Sequence, residues 1–550
     1  MTTLTGGQAL VQSLKREGVH TIFGLPGIQL DWAFDALYAE RDSIRVVHTR
    51  HEQATAYMAD GYARTTGDIG VCIVVPGPGL LNATAALSTA YACSSPVLCI
   101  SGQINSDMIG VGRGLLHEIK DQLTMIASVT KWAHCAMEPE EVPGMVREAF
   151  RQLKSGRARP VEIEVPPDIL GKQGDVELYA PEMRDRERPA GDPDAIDRAA
   201  RLLGEAKNPI ICSGGGVLSS GAWAELQRLA ETLEAPVVMS RNGRGALSDR
   251  HYLGHTSMTG RDLLPQADVI LAVGTRFVDP ATMWGLSDGQ TVIQLDIDAE
   301  EIGRNYPNTM VLQADAKAGL AALAERVTKY STARPSREAE LNAMKEAARA
   351  KLDGAQPQAA WAAAIRRALP DEGIVVNEST QVGYYANVGF PVYAPRTFIN
   401  SGYQGTLGYG FATALGAKVG NPDTPVVSIN GDGGFMYNVQ ELSTQVAHKI
   451  NAVTIVFNDN AFGNVKRIQQ QSFNNHTIAS DLVNPDFVKL AESFGMVGMR
   501  ATEPEALERS LTEAFAMNAP VLIEVPVSEM PGIGPLLGWG NRATPPPPRR

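Results

Sequence analysis

Short apolar runs alternate along the chain with longer stretches whose apolar positions recur at helical spacing. In the first 170 or so residues, "TIFGLPG" reads as a strand entering a turn and "IRVVHTR" as a second strand. "HEQATAYMADGYARTTG" then predicts a helix, "VCIVV" a strand closing on "PGPG", "LLNATAALSTAYA" a helix and "PVLCIS" a strand. The opening "MTTLTGGQALVQSLKREGV" predicts a helix, with Ala9, Leu10 and Leu14 on one apolar face. Strand and helix alternating at this spacing argue for a parallel sheet covered on both faces.

The polar, Pro-bearing stretch "KQGDVELYAPEMRDRERPAGDPDA" reads as a linker. A second α/β block follows, with "NPIICSGGG", "APVVMS", "ADVILAVGTRF" and "TVIQLDID" as strands. The charged, Ala-rich "STARPSREAELNAMKEAARAKLDGAQPQ" predicts a helix leading to a third block. Its strands are "GIVVNEST", "TFINSG", "TPVVSING", "AVTIVFND" and "PVLIEVPV", and "TPPPPRR" ends the chain in a tail too rich in proline to pack. The expected organisation is three doubly wound, parallel-sheet α/β domains, over residues 1–175, 190–330 and 355–540.

Composition narrows the function classes. With 44% hydrophobic and 20% charged residues the chain has the balance of a soluble globular enzyme. A net charge of −12 disfavours a nucleic-acid partner held by charge. No run approaches the ~18 uninterrupted apolar residues of a membrane span, and no export signal opens the chain. The five cysteines, Cys72, Cys93, Cys99, Cys135 and Cys212, are scattered and lack zinc spacing, so reduced thiols and a cytoplasmic location are expected.

The candidate chemistry begins at "SINGDGGFMYN", where Asp432 stands among Gly431, Gly433 and Gly434 as an apolar strand ends. Glycine and aspartate suit a tight turn. They equally suit a backbone closing on phosphate oxygens while a carboxylate holds a metal. A second oxygen-rich turn, "NDNAFG", puts Asn458, Asp459 and Asn460 after the strand "AVTIVF". Ligands bind at that edge of an open α/β sheet, and Mg²⁺ takes oxygen ligands that it shares with phosphates. A helix beginning near "FMYNVQELSTQVA" would point its positive end there. No P-loop sequence occurs, which disfavours nucleotide hydrolysis. Glu52 opens the helix after "IRVVHTR", where an acid is favoured by the helix dipole alone.

Gly431-Asp432-Gly433 followed by Asn458-Asp459 resembles the thiamin-diphosphate motif, Gly-Asp-Gly then Asn-Asn. "HEQATAYMADGYAR", "PGPGLLNA", "GTLGYGFATALGAK" and "DIDAEEIGRN" stand in the order found in acetolactate-synthase-like enzymes, and the resemblance spans essentially the whole chain. It implies pyrimidine-binding, central and diphosphate-binding domains, with thiamin diphosphate and Mg²⁺ as cofactors. Asp432, Asp459 and the Ala461 carbonyl would bind the metal, Asp459 replacing the usual asparagine. Glu52 would hydrogen-bond the pyrimidine ring and relay the activating proton, and Leu407 would fold the cofactor into its V shape. The Gly405 carbonyl would accept from the exocyclic amine, and Gln381 would lie near the diphosphate. Gly27, Pro76, Asn82, Gly431, Gly433, Gly434, Gly463, Asn464 and Val465 complete the implied cofactor contacts. The Glu52-type domain of one chain would meet the Asp432-type domain of another, giving at least a homodimer and in expectation a homotetramer. The central domain of relatives holds FAD, holds ADP or is empty; the sequence here chooses none of the three, so FAD and ADP stay open and neither is predicted.

Four positions depart from the acetolactate-synthase pattern. His117 replaces a glutamine and is a candidate for moving protons on the bound intermediate, or else a hydrogen-bonded helix-end histidine. Pro280 replaces an arginine, Ile468 a tryptophan and Leu25 a tyrosine. The implied activity is therefore decarboxylation of a 2-oxo acid, with protonation or carboligation of the enamine. The alternatives are acetolactate synthase proper, a 2-hydroxyacyl-CoA lyase acting on acyl-CoA substrates, for which Arg549 and Arg550 are thin support, or a non-catalytic binding protein retaining the fold.

Overall fold

The computed structural model describes residues 1–181, 188–279, 286, 287, 289–306 and 309–534. Pro280, Arg549 and Arg550 lie outside the described residues. The chain divides into two compact units, one of residues 1–188, 401–423 and 438–451, the other of residues 189–400, 424–437 and 452–550.

In the first unit, β1 (Thr2–Thr5) pairs antiparallel with β8 (Gln173–Val176). The predicted N-terminal helix is thus a strand followed by a helix over Gly6–Arg16, and the predicted linker begins as that strand's partner. Thr5 sets the boundary, because its side chain caps the helix by accepting from Gln8 N–H at 3.2 Å. The main sheet of this unit holds β2 (Thr21–Gly24), β3 (Arg45–His48), β4 (Gly70–Val74), β5 (Val97–Gly102), β6 (Trp132–Cys135) and β7 (Val161–Val165). All neighbours are parallel, in the order β3-β2-β4-β5-β7-β6. β4, β5 and β7 are buried along their whole length, so both faces are covered.

The second unit carries two more six-stranded parallel sheets. One runs β11-β10-β9-β12-β13-β14, from β9 (Pro209–Ser213), β10 (Val237–Met239), β11 (Gly254–His255), β12 (Val269–Val273), β13 (Thr291–Asp296) and β14 (Thr309–Gln313). The other runs β16-β15-β17-β18-β20-β19, from β15 (Ile374–Asn377), β16 (Phe398–Asn400), β17 (Val426–Gly431), β18 (Val453–Asn458), β19 (Val497–Arg500) and β20 (Val521–Pro526). The three sheets make the chain an α/β protein of three parallel-sheet domains. Buried Arg244 ties residues of the last two together, donating to the carbonyls of Asn387 at 2.9 Å and Phe390 at 2.6 Å and to Asp249 at 2.6 Å.

Within the first unit the Glu52–Thr66 helix crosses the Tyr409–Gly420 helix at glycines. A Cβ at Gly61 would overlap the Thr413 carbonyl oxygen, and one at Gly416 would overlap the Met58 carbonyl oxygen. Tyr57 and Tyr409 pack edge to face beside this crossing, with ring centroids 5.7 Å apart. Alanine at Gly416 would gain up to ~1 kcal/mol of helix propensity but would meet backbone that cannot swing aside. Overpacking of that kind costs roughly 1–3 kcal/mol, so Gly416→Ala is expected to lower the urea midpoint. A raised midpoint would show that the crossing is looser than described.

Candidate functional site

β17 and β18 are neighbours, with Gly431 in register with Phe457, so the residues that follow them leave the sheet side by side. Asp432 is buried and opens a four-residue helix, Asp432–Phe435. The helical run therefore starts earlier than the sequence predicts. It also continues as a 3₁₀ turn through Glu441, with a break at Asn438, before the Leu442–Ala447 helix. Asp459 is half-buried just beyond β18, and its Oδ1 accepts from the Ala461 N–H at 3.3 Å.

Burial pushes the Asp459 carboxyl up to about 6, and the charge of Asp432 adds to the rise. Burial also raises Asp432, against the pull of the Gly433 N–H and the Asn484 amide. Asn484 was not singled out from sequence. Its Nδ2 donates to Asp432 Oδ2 at 2.6 Å and to Asn458 Oδ1 at 3.0 Å, bridging the two turns. Its only sequence signal is a polar residue before proline in "VNPDF".

The glycines have identifiable neighbours. A Cβ at Gly463 would collide with the Asp459 carboxylate, one at Gly434 with the Glu378 carboxylate and one at Gly433 with the Phe462 ring. Gly431 has ordinary room beside Thr380. With its amide oxygen toward the guanidinium, Gln381 accepts from both Nη atoms of Arg467 at 3.1 Å. Arg467 also donates to Asn464 Oδ1. The structure thereby joins predicted Gln381 and Asn464 through an arginine that the sequence reading missed. Val465 and Ile468 lie exposed on the Gly463–Ser472 helix.

The first unit carries the remaining predicted residues. Glu52 is the first residue of its helix, and His51 caps it by accepting the Gln53 N–H on Nδ1 at 3.1 Å. The acid is not needed as a cap. Glu52 Oε2 accepts from Asn82 Nδ2 at 3.0 Å, while Oε1 would lie 3.5 Å from a Cβ placed at Gly79. The carboxylate thus spans the first turn of the Pro78–Cys93 helix. Glu441 holds the approach to Glu52, both carboxylate oxygens accepting the Arg50 N–H at 3.1 Å. Burial lifts Glu441 to about 7.

Gly27 and Pro76 sit at the ends of β2 and β4, and a Cβ at Gly27 would strike Val75. Leu25 is half-buried there, its N–H bonded to the Ile73 carbonyl at 3.2 Å. His117 is half-buried with φ +68°, its carbonyl against Gly77 and its Nδ1 2.9 Å from Gln29 Oε1. Gly405, at φ +60°, borders open space, with nothing within 4 Å of a Cβ built on it. Leu407 is half-buried, not a core leucine. Its loop is fastened to the Pro78–Cys93 helix by a 2.8 Å bond between Thr406 and Thr89 hydroxyls.

The donor chemistry fits a hard cation. The charge of Asp432 raises the proton affinity of Asp459, amide oxygens stand with the two carboxylates, and a divalent ion would offset that charge. No group of three or more His, Cys, Asp or Glu is gathered among the described residues. Such a short protein ligand set is what Mg²⁺ uses when phosphates fill its remaining positions. No helix among the described residues is long and apolar enough to cross a membrane.

Three family profiles match in order. They are the N-terminal TPP binding domain of thiamine pyrophosphate enzymes over residues 4–125, the central domain over 196–323 and the C-terminal TPP binding domain over 378–525. The chain is 36% identical over 534 residues to a probable 2-ketoarginine decarboxylase of Pseudomonas aeruginosa, covering 95% of this chain and 94% of that one. It is 34% identical to a probable acetolactate synthase large subunit of Methanocaldococcus jannaschii, over 98% and 95% of the two chains. It is 32% identical to the acetolactate synthase isozyme 3 large subunit of Escherichia coli, over 98% and 97%. At such identity over nearly the full length of both partners, the protein belongs to the thiamine pyrophosphate enzymes, in their acetolactate-synthase-like branch.

Proposed function

We propose that this thiamin-diphosphate enzyme decarboxylates a 2-oxo acid and then protonates the product or passes it to an acceptor carbonyl. The observation that carries this reading is His117, a proton-moving side chain held by Gln29 beside the Gly77 turn. Exposed Ile468, where acetolactate synthases carry a tryptophan, supports it as well. So does the 36% identity to a probable 2-ketoarginine decarboxylase.

When bound, thiamin diphosphate supplies a carbon nucleophile and a sink for the electron pair released with CO₂. Asp432, Asp459 and the Ala461 carbonyl would hold Mg²⁺. Gly431, Gly433, Gly434, Gln381, Gly463, Asn464 and Val465 would line the diphosphate. Gly27, Pro76, Asn82, Gly405 and Leu407 would hold the ring system. Glu52 would share a proton with a ring nitrogen, and Asn82 keeps its carboxylate in place. His117 delivers a proton to the product carbon. In this reading two copies complete each site, and the assembly is a homotetramer. The domain spans are 1–175, 190–330 and 355–540.

The second reading is acetolactate synthase, favoured by the names of other relatives. Incubation with pyruvate alone and with a panel of 2-oxo acids that includes 2-ketoarginine separates the two. The expected products are the aldehyde or a cross-coupled hydroxyketone, read by mass spectrometry, with little acetolactate. An acceptor carboxylate held by an arginine gains roughly 1.5–3 kcal/mol from a charge-assisted bond, and Pro280 offers no charge. Efficient acetolactate formation at ordinary pyruvate concentrations would replace the first reading with the second.

A further inference from the structure

We propose that Gln29 is a positioning residue that holds His117 as its Nδ1–H tautomer, leaving Nε2 as the nitrogen that takes up a proton and then delivers it. The inference rests on the reading of His117 as the proton-moving group. Gln29 is buried, in the short turn Ile28–Leu30 that follows β2. Its Nε2 lies 3.1 Å from the Leu116 carbonyl oxygen, and its Oε1 lies 2.9 Å from His117 Nδ1.

The direction of both bonds follows from the chemistry of the groups. A carbonyl oxygen only accepts, so the amide nitrogen must face Leu116. The amide oxygen then faces His117, and it too only accepts. Nδ1 must therefore carry the proton, and in the neutral ring the lone pair falls on Nε2.

The backbone fixes the ring from the other side. His117 has φ +68°, a left-handed conformation uncommon for a residue with a side chain, and its carbonyl packs where Gly77 (φ +58°) has no Cβ. Gly77 is itself anchored, its N–H donating to Gln122 Oε1 at 2.8 Å. Gln122 Nε2 in turn donates to Ser101 Oγ at 3.1 Å and the Gly102 carbonyl at 3.0 Å. One glutamine thus sets the height of the turn and another sets the proton on the ring. The sequence offers no signal for Gln29 beyond its place in "GLPGIQLD".

The test is ¹⁵N NMR of the full-length chain labelled in its nine histidines, with and without thiamin diphosphate and Mg²⁺, His117 being assigned by its loss in H117N. The expected wild-type spectrum shows a pyrrole-type Nδ1 and a pyridine-type Nε2 for His117 near neutral pH. Q29L is expected to give a mixed tautomer, and Q29E, which keeps an acceptor oxygen, to restore Nδ1–H. On the best 2-oxo acid, Q29L should lose roughly two- to tenfold in kcat, the factor that one neutral hydrogen bond controls, with KM and cofactor retention unchanged. A wild-type ring protonated on Nε2, or a Q29L spectrum identical to wild type, overturns the assignment of Gln29. Because the spectrum needs no turnover, an inactive panel of 2-oxo acids would count against the proposed reaction and leave the tautomer result standing. Should Q29L not fold, the wild-type and Q29E spectra decide alone.

Discussion

Asp432→Ala is expected to abolish Mg²⁺-dependent retention of thiamin diphosphate. Asp432 is one of two carboxylates that leave β17 and β18 side by side, and no His, Cys or further acid gathers there among the described residues. On the proposed metal site, removing it would leave Asp459 as the one carboxylate among the proposed protein ligands of a dication carrying a diphosphate. Altering a partner that merely orients a metal ligand costs about 10–100-fold in affinity, so the ligand itself should cost more than ~100-fold. Asn484→Leu, which removes the amide bridging Asp432 and Asn458, is the graded control and should fall within that 10–100-fold range. Calorimetric titration checks both. In the wild type near pH 6, Mg²⁺ uptake should release a proton from Asp459, whose carboxyl burial and Asp432 push up to about 6. In the Asp432→Ala chain that release should shrink, because a cause of the raised proton affinity has gone. Unchanged cofactor affinity in the variant would remove Asp432 from the metal site.

Glu52→Gln should bind thiamin diphosphate and yet lose most activity on every substrate. The amide keeps the length of the side chain and still offers Asn82 Nδ2 an oxygen in place of Glu52 Oε2. It cannot take and return a proton. General acid–base groups typically contribute ~10²–10⁴-fold in rate, and a loss of that size is expected in kcat, with cofactor affinity near that of wild type. Turnover within a factor of ten of wild type would show that Glu52 only caps or packs. His51 already caps the helix, so capping does not require the acid, and the bond to Asn82 needs only an oxygen that the amide also offers.

The strands readable from sequence are mostly those whose two faces are both buried, because continuous apolar runs such as "VCIVV" and "PVLCIS" leave little ambiguity. The strands that escaped notice are largely at sheet edges: β6, β11, β14 and β19. An edge strand is half solvated, and β11 is only two residues long. β7 escaped for a different reason. Its "VEIEV" alternates acid with apolar and suggests a solvated face, yet Glu162 and Glu164 are buried. Ser101 donates to Glu162 at 2.6 Å and Gln103 to Glu164 at 3.0 Å. Burial raises both carboxyls, Glu164 to about 7, which lowers the cost of placing acids in the sheet.

At the candidate site, Asp432 and Asp459 stand out in the sequence as acids in oxygen-rich turns just past apolar strands, whereas Glu52, at a helix start that the helix dipole alone explains, stands out only through the family resemblance. Asn484, Arg467, Glu441 and Gln29 do not stand out. Each acts through a partner distant in sequence, as Glu441 does with Arg50 and Arg467 with Gln381. Spacing along the chain carries no trace of such pairs.

The glycine crossing of the Glu52–Thr66 and Tyr409–Gly420 helices sets an order of events during synthesis. The partner of the Glu52 helix emerges from the ribosome about 350 residues later, which at ~5–20 residues per second is roughly 20–70 s. Through that interval the N-terminal sheet can pair its strands, but the helix above it has no Tyr409 ring or Gly416 backbone to close against. A nascent chain halted before residue 451 lacks parts of the first unit however long it waits. The domain translated first is thus among the last to be completed.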